Sequence, residues 1–97
     1  MQFLIRGYDG KDEGALDRRM ATRAAHLEYV KEFKEKGHIR YAGALLNEKD
    51  EMCGSMMVME FPSETELHAW KEKEPYITQN VWQEVHVEVM RVADLFL

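Results

Sequence analysis

The chain has 97 residues, 45% of them apolar, which allows one domain spanning 1–97 and leaves no room for a second core. Its 13 basic and 18 acidic residues give a net charge of −5, and this argues against non-specific nucleic-acid binding, which needs clustered Lys and Arg. A single cysteine, Cys53, excludes an internal disulfide and any metal site built on paired thiolates.

The chain opens on a strand pattern, Gln2 to Tyr8, closed by the turn residues Asp9 and Gly10. No signal-peptide pattern precedes it and no apolar run approaches the roughly 18 residues that span a bilayer, so a cytoplasmic location without membrane contact is expected. From about Glu13 to Lys36 the period changes. Leu16, Met20, Ala24, Leu27, Val30 and Phe33 recur every three or four residues and predict one apolar stripe on a long helix. Gly37 supplies its C-terminal stop.

Ile39–Leu46 and Met52–Phe61 read as the two strands of a hairpin around a polar turn at 47–51. Ser63-Glu-Thr-Glu66 is a capping-box pattern, with a short helix after it that buries Leu67 and Trp70. Residues 74–82, with a proline, read as an ordered connection rather than a regular element. Gln83 to Val92 closes as a strand in which Val85, Val87 and Val89 alternate with polar residues.

The order β-α-β-β-α-β predicts an α+β, ferredoxin-like sandwich with the first and third strands central. Met56 and Val58 point to one face of the third strand, Met57, Met59 and Phe61 to the other. Two helices cover only one face of such a sheet. A second copy of the chain is the expected cover for the rest, giving a homodimer or a larger assembly of copies.

On the long helix Arg19, Arg23, His26 and Val30 fall within a sector of roughly 60° beside the apolar stripe. Two arginines and a histidine held at the helix–sheet seam suit a pocket that receives an anion and moves a proton. The alternative is solvated arginines and a histidine that merely packs. Glu74 precedes Pro75, which holds its backbone extended and lets the carboxylate be aimed; the alternative is a solvated turn. Ser55, after Gly54 on a central strand, is a buried hydroxyl that could serve a ligand or only a local hydrogen bond. No histidine pair has metal-ligand spacing, and no phosphate loop or nucleophile elbow exists. No metal and no cofactor are therefore expected.

Arg23-Ala-Ala-His26, Gly43-Ala-Leu45, Gly54-Ser55, Glu60-Phe-Pro-Ser63, Ala69-Trp70, Glu74-Pro-Tyr76 and Asn80-Val-Trp82, in that order, resemble the YciI-like (YCII-related) family over nearly the whole chain. The resemblance implies a dimeric α+β barrel of ferredoxin-like subunits and a pocket with a His–acid dyad, here His26 and Glu74. It extends in fold and dyad to a dehydrochlorinase of a chlorinated hydroxyquinol. The chain departs from the common pattern at Glu74, where aspartate is usual, at Ala24, where proline is frequent, and at Asn80, where glycine is frequent. Arg23, Arg19, Ser55 and Tyr76 are the expected substrate-binding residues around the dyad. The expected activity is a cofactor-independent elimination or isomerisation of a small cyclic or aromatic acid. The alternatives are a dimeric module that binds a small acidic metabolite without transforming it, and a structural dimer serving a partner protein.

Overall fold

The computed structural model describes residues 1–97. The elements are β1 (Gln2–Asp9), α1 (Ala15–Glu35), β2 (Ile39–Leu46), β3 (Met52–Glu60), α2 (Glu64–Lys73), α3 (Pro75–Thr78) and β4 (Trp82–Met90), with a 3-10 turn at Asp94–Phe96. The four strands form one antiparallel sheet in the order β2-β3-β1-β4. This is the ferredoxin-like α+β arrangement that the element order predicts, with β1 and β3 central.

Strand parity decides what is buried. Phe3 and Ile5 of β1 sit opposite Met59 and Met57 of β3, and these four side chains form the floor of the core. Phe61, Leu67, Trp70, Tyr76, Val81 and Trp82 close over it from the connections, the short helices and the start of β4. The other face carries Leu4 and Val58, with Tyr41 of β2 beside Val58 and 69% exposed. Two of the seven methionines, Met57 and Met59, are fully buried core residues, while Met20 stands half exposed on α1.

Helix α1 ends as its sequence requires. Gly37 takes φ +81°, and the amides of Gly37 and His38 donate to the carbonyls of Lys34 and Phe33, capping the last turn. Ser63 Oγ accepts from the Glu66 amide at 3.5 Å and starts α2, which buries Leu67 and Trp70. The return contact from the Glu66 side chain is not made.

Two expectations fail here. The apolar stripe of α1 meets the core only in part: Val30 and Phe33 pack against it, but the buried residues of the helix are Arg19, Thr22 and His26, while Met20 and Leu27 are 50% and 43% exposed. Helix phase is set by what the sheet offers, and here the sheet offers Ser55 and Asp9 as well as apolar side chains. Residues 75–78 form one helical turn, α3, rather than an irregular connection. Pro75 occupies its first position, where no amide is needed, and Glu74 caps it by accepting from the Tyr76 amide at 3.0 Å.

Candidate functional site

Under α1 the edge strand β2 carries Ala42, Gly43 and Ala44, a run with almost no side-chain bulk. The gap that remains is a cavity of about 250 Å³, lined by Arg19, Arg23, His26, Ser55 and Tyr76 among polar groups and by Leu27, Val30 and Met57 among apolar ones. All four residues expected to bind substrate, and the histidine of the dyad, therefore line one cavity. Glu74 lies behind the histidine.

His26 Nδ1 and Glu74 Oε1 are 2.6 Å apart, and the Glu74 side chain is fully buried. Glu74 has extended backbone angles, φ −65° and ψ 117°, as its place before proline requires, so the solvated-turn alternative does not hold. An ionised carboxylate only accepts, so in the neutral ring the proton sits on Nδ1 and the Nε2 lone pair is left free. Nε2 has no protein partner and is not sealed from solvent. The imidazole stacks flat on Tyr76 at 3.8 Å and meets the edge of Trp82 at 5.8 Å, which fixes its plane. Glu74 Oε2 and Asp9 Oδ2 are both buried without a partner, each a costly arrangement. The extra methylene of glutamate does not prevent contact with the histidine. Asn80 takes φ +61°, a conformation that glycine adopts freely and asparagine tolerates.

Arg19 and Arg23 differ sharply. Arg23 stands exposed at the rim, tied to no carboxylate. Arg19 is 3% exposed; its Nη1 donates to Asp9 Oδ1 at 2.9 Å and its Nη2 to Ser55 Oγ at 2.8 Å. The guanidinium lies over the Tyr76 ring, 4.8 Å from its centre. Trp82 Nε1 also donates to Ser55 Oγ, at 3.3 Å. Burial pushes the Asp9 carboxyl above its ordinary value, and the Arg19 charge opposes that rise. Burial likewise pushes the Tyr76 phenol up.

Asp9 and Trp82 hold Arg19 and Ser55 from behind the cavity, although by sequence Asp9 reads as a turn residue and Trp82 as part of a connection. In the structure they pair across β1 and β4, beside a register shift between Tyr8 and Asp9. The available signal was parity: Asp9 continues the buried series Phe3, Ile5, Gly7. Of the other histidines, His38 bonds the Glu60 carbonyl at 2.8 Å, and His68 and His86 are exposed.

The YCII-related domain matches residues 1–91. The protein YciI of Escherichia coli O6:H1 is 28% identical over 94 residues, covering 91% of this chain and 94% of its own. The YciI protein of Shigella flexneri matches to the same extent. Among solved structures, the 5-chloro-2-hydroxyhydroquinone dehydrochlorinase TftG of Burkholderia phenoliruptrix AC1100, in complex with 2,5-dihydroxybenzoquinone, is 29% identical with a TM-score of 0.82, covering 98% of both chains. Rv0793 of Mycobacterium tuberculosis, 12% identical with a TM-score of 0.52 over 96% of both chains, shares the fold.

Proposed function

The chain belongs to the YCII-related domain family, and on that premise we propose that it is a small-molecule enzyme whose His26–Glu74 dyad moves a proton in an elimination or isomerisation. The substrate class is a small cyclic or aromatic acid. A cavity of about 250 Å³ falls just below the usual range of drug-sized ligand sites, which starts near ~300 Å³, and suits a single ring. The dehydrochlorinase with a bound quinone, at 29% identity over nearly the whole chain, supports the same class.

In this reading Nε2 of His26 takes a proton from a ring hydroxyl or an activated C–H of the substrate. In an elimination the leaving group stands on a saturated ring carbon, as in the keto tautomer of a hydroquinone, and the released electron pair forms the new double bond while the leaving group departs as an anion. In an isomerisation His26 returns the proton to a different atom. Glu74 orients the imidazole and stabilises the imidazolium formed. Arg23, the unpaired cation at the rim, receives the negative charge that develops on the substrate or leaving group. No step calls for a metal or cofactor.

The observation that carries this reading is the 2.6 Å contact between Nδ1 and a carboxylate with no solvent exposure, which leaves Nε2 free at the cavity. Replacing His26 with Gln tests it. Turnover of a chlorinated hydroquinone is expected to fall by about 10²–10⁴, the usual share of a general base, while 2,5-dihydroxybenzoquinone still binds. Lost affinity with no turnover in the native protein would instead favour a binding module.

We infer further that a second copy covers the open face of the sheet, where Leu4, Val58 and the exposed Tyr41 lie together, and that the protein works in the cytoplasm. Sedimentation as a single subunit at micromolar concentration would contradict the dimer.

A further inference from the structure

Ser55 Oγ receives two hydrogen bonds, one from Arg19 Nη2 at 2.8 Å and one from Trp82 Nε1 at 3.3 Å. Neither partner leaves any doubt about direction. A guanidinium and an indole N–H have protons to give and no lone pair to receive one. Both acceptor positions of the hydroxyl are thus occupied, and the remaining valence is its own O–H. That hydrogen finds no acceptor in the protein, although Ser55 is 4% exposed. The residue lines the cavity between α1 and β2, so the cavity is the one place left for the hydrogen.

We propose that Ser55 is a fixed, donor-only group that selects ligands presenting an acceptor oxygen — a carbonyl, carboxylate or phenolate — at that wall of the cavity. The inference rests on the reading of this cavity as the ligand site and adds to it a demand on the ligand's chemistry. Asp9 acts here as a positioning residue. It holds Arg19 Nη1 at 2.9 Å, and a guanidinium anchored at one nitrogen keeps the other aimed at Ser55. Trp82 reaches Ser55 because Gly7 has no side chain: a Cβ there would stand 2.3 Å from the indole. The same arrangement disfavours a ligand group that itself donates at this wall, since two facing donors leave a buried polar group unpaired. Nearby charge sharpens the donor, because the Arg19 cation polarises the O–H toward the cavity.

The test is a crystal structure of the native chain soaked with 2,5-dihydroxybenzoquinone, together with calorimetric titration of that quinone into native protein and Ser55→Ala. The expected structure has an oxygen of the probe, or of a water in its place, at about 2.6–3.0 Å from Ser55 Oγ on the cavity side. Arg19 and Trp82 keep their bonds. The expected titration shows the probe bound about three- to tenfold more weakly by Ser55→Ala, the share of one neutral hydrogen bond. Ser55 Oγ donating to a protein oxygen would overturn the proposal, as would unchanged affinity in a folded Ser55→Ala. Should the probe not bind the cavity at all, the reading of the cavity as the ligand site fails, and the water on Ser55 still decides the hydroxyl's role. The crystal uses native protein, so the result stands even if Ser55→Ala, with Arg19 and Trp82 left unsatisfied, does not fold.

Discussion

Two polar clusters share the buried side of the sheet, and they are built on opposite rules. In the Asp9–Arg19–Ser55–Trp82 cluster the donors to Ser55 have no lone pairs and Asp9 Oδ1 is clamped at 2.9 Å, so the direction of each bond is settled, although Asp9 Oδ2 and Arg19 Nε are buried without partners. In the His26–Glu74 cluster one ring nitrogen is clamped and the other is free, so a proton can arrive and leave. Tyr76 touches both, stacked on His26 and lying under Arg19. The difference separates a scaffold that fixes geometry from a pair that can act on a ligand. The first should carry stability, and the second should carry turnover.

The largest effect expected from breaking that separation is on Arg19. Arg19→Met leaves the Asp9 carboxylate buried and unpaired and should cost about 3–5 kcal/mol in urea unfolding. Glu74→Gln, which keeps its volume and its acceptor for the Tyr76 amide, should cost about 1 kcal/mol while abolishing turnover. Equal costs would erase the distinction between the clusters. The pH dependence of the Arg19→Met deficit has a definite sign. Burial already holds the Asp9 carboxyl above its ordinary 3.8, and without Arg19 it rises further. The deficit is therefore small below pH 3.8, where the group is neutral whether folded or unfolded. It opens once pH passes the native folded value, which lies above 3.8, and grows toward the still higher value of the variant.

A smaller effect is expected at Gly7. Gly7→Ala puts a methyl 2.3 Å from the Trp82 indole and must displace it from Ser55, for about 1–3 kcal/mol of overpacking. Tryptophan emission should shift with it. Native emission and an unchanged urea midpoint would show that the fixed cluster is less rigid than its bonds imply.

The smallest effect reads the charge of the dyad from outside. Tyr29 bonds the Trp70 carbonyl at 2.8 Å, and its phenol is pushed up to about 12 by burial, then by the charges of Glu74 and Glu32. A raised phenol keeps its stabilising contribution below pH 10 and loses it as pH climbs from 10 toward 12, where only the unfolded chain ionises freely. Tyr29→Phe should flatten that alkaline loss in melting curves. Glu74→Gln should lower the Tyr29 titration followed by ultraviolet absorbance. No movement would mean that residue 74 carries no charge in the folded protein.

Much of this was legible in the chain itself because local chemistry and tertiary demand agree. The bounds of β2 follow from its composition, Gly37 marks the end of α1, and Glu74 is extended because Pro75 follows it. The depth of α1 was not legible. Periodicity finds the apolar stripe, and Val30 and Phe33 do pack on the core, but Met20 and Leu27 stand exposed while Arg19, Thr22 and His26 are buried. Asp9 and Ser55 bond Arg19, Glu74 bonds His26, and the Thr22 hydroxyl donates to the Arg18 carbonyl. Angular position marks both Arg19 and His26 as candidates, yet nothing in the helix alone says that Arg19 is tied to Asp9 and Ser55 while His26 keeps Nε2 open. Asp9 illustrates the remaining limit. Beside Gly10 its side chain suits a turn as well as a strand, and only pairing with Trp82 in β4 settles which.

The proposed chemistry depends most on how His26 holds its proton. Long-range proton–nitrogen spectra of protein labelled with ¹⁵N in histidine, recorded with the ring neutral, assign the tautomer directly. A proton on Nδ1 and a bare Nε2, reversed or averaged in Glu74→Gln, is the predicted result. A proton on Nε2 in the native protein would contradict it, because His26 would then offer the cavity no base.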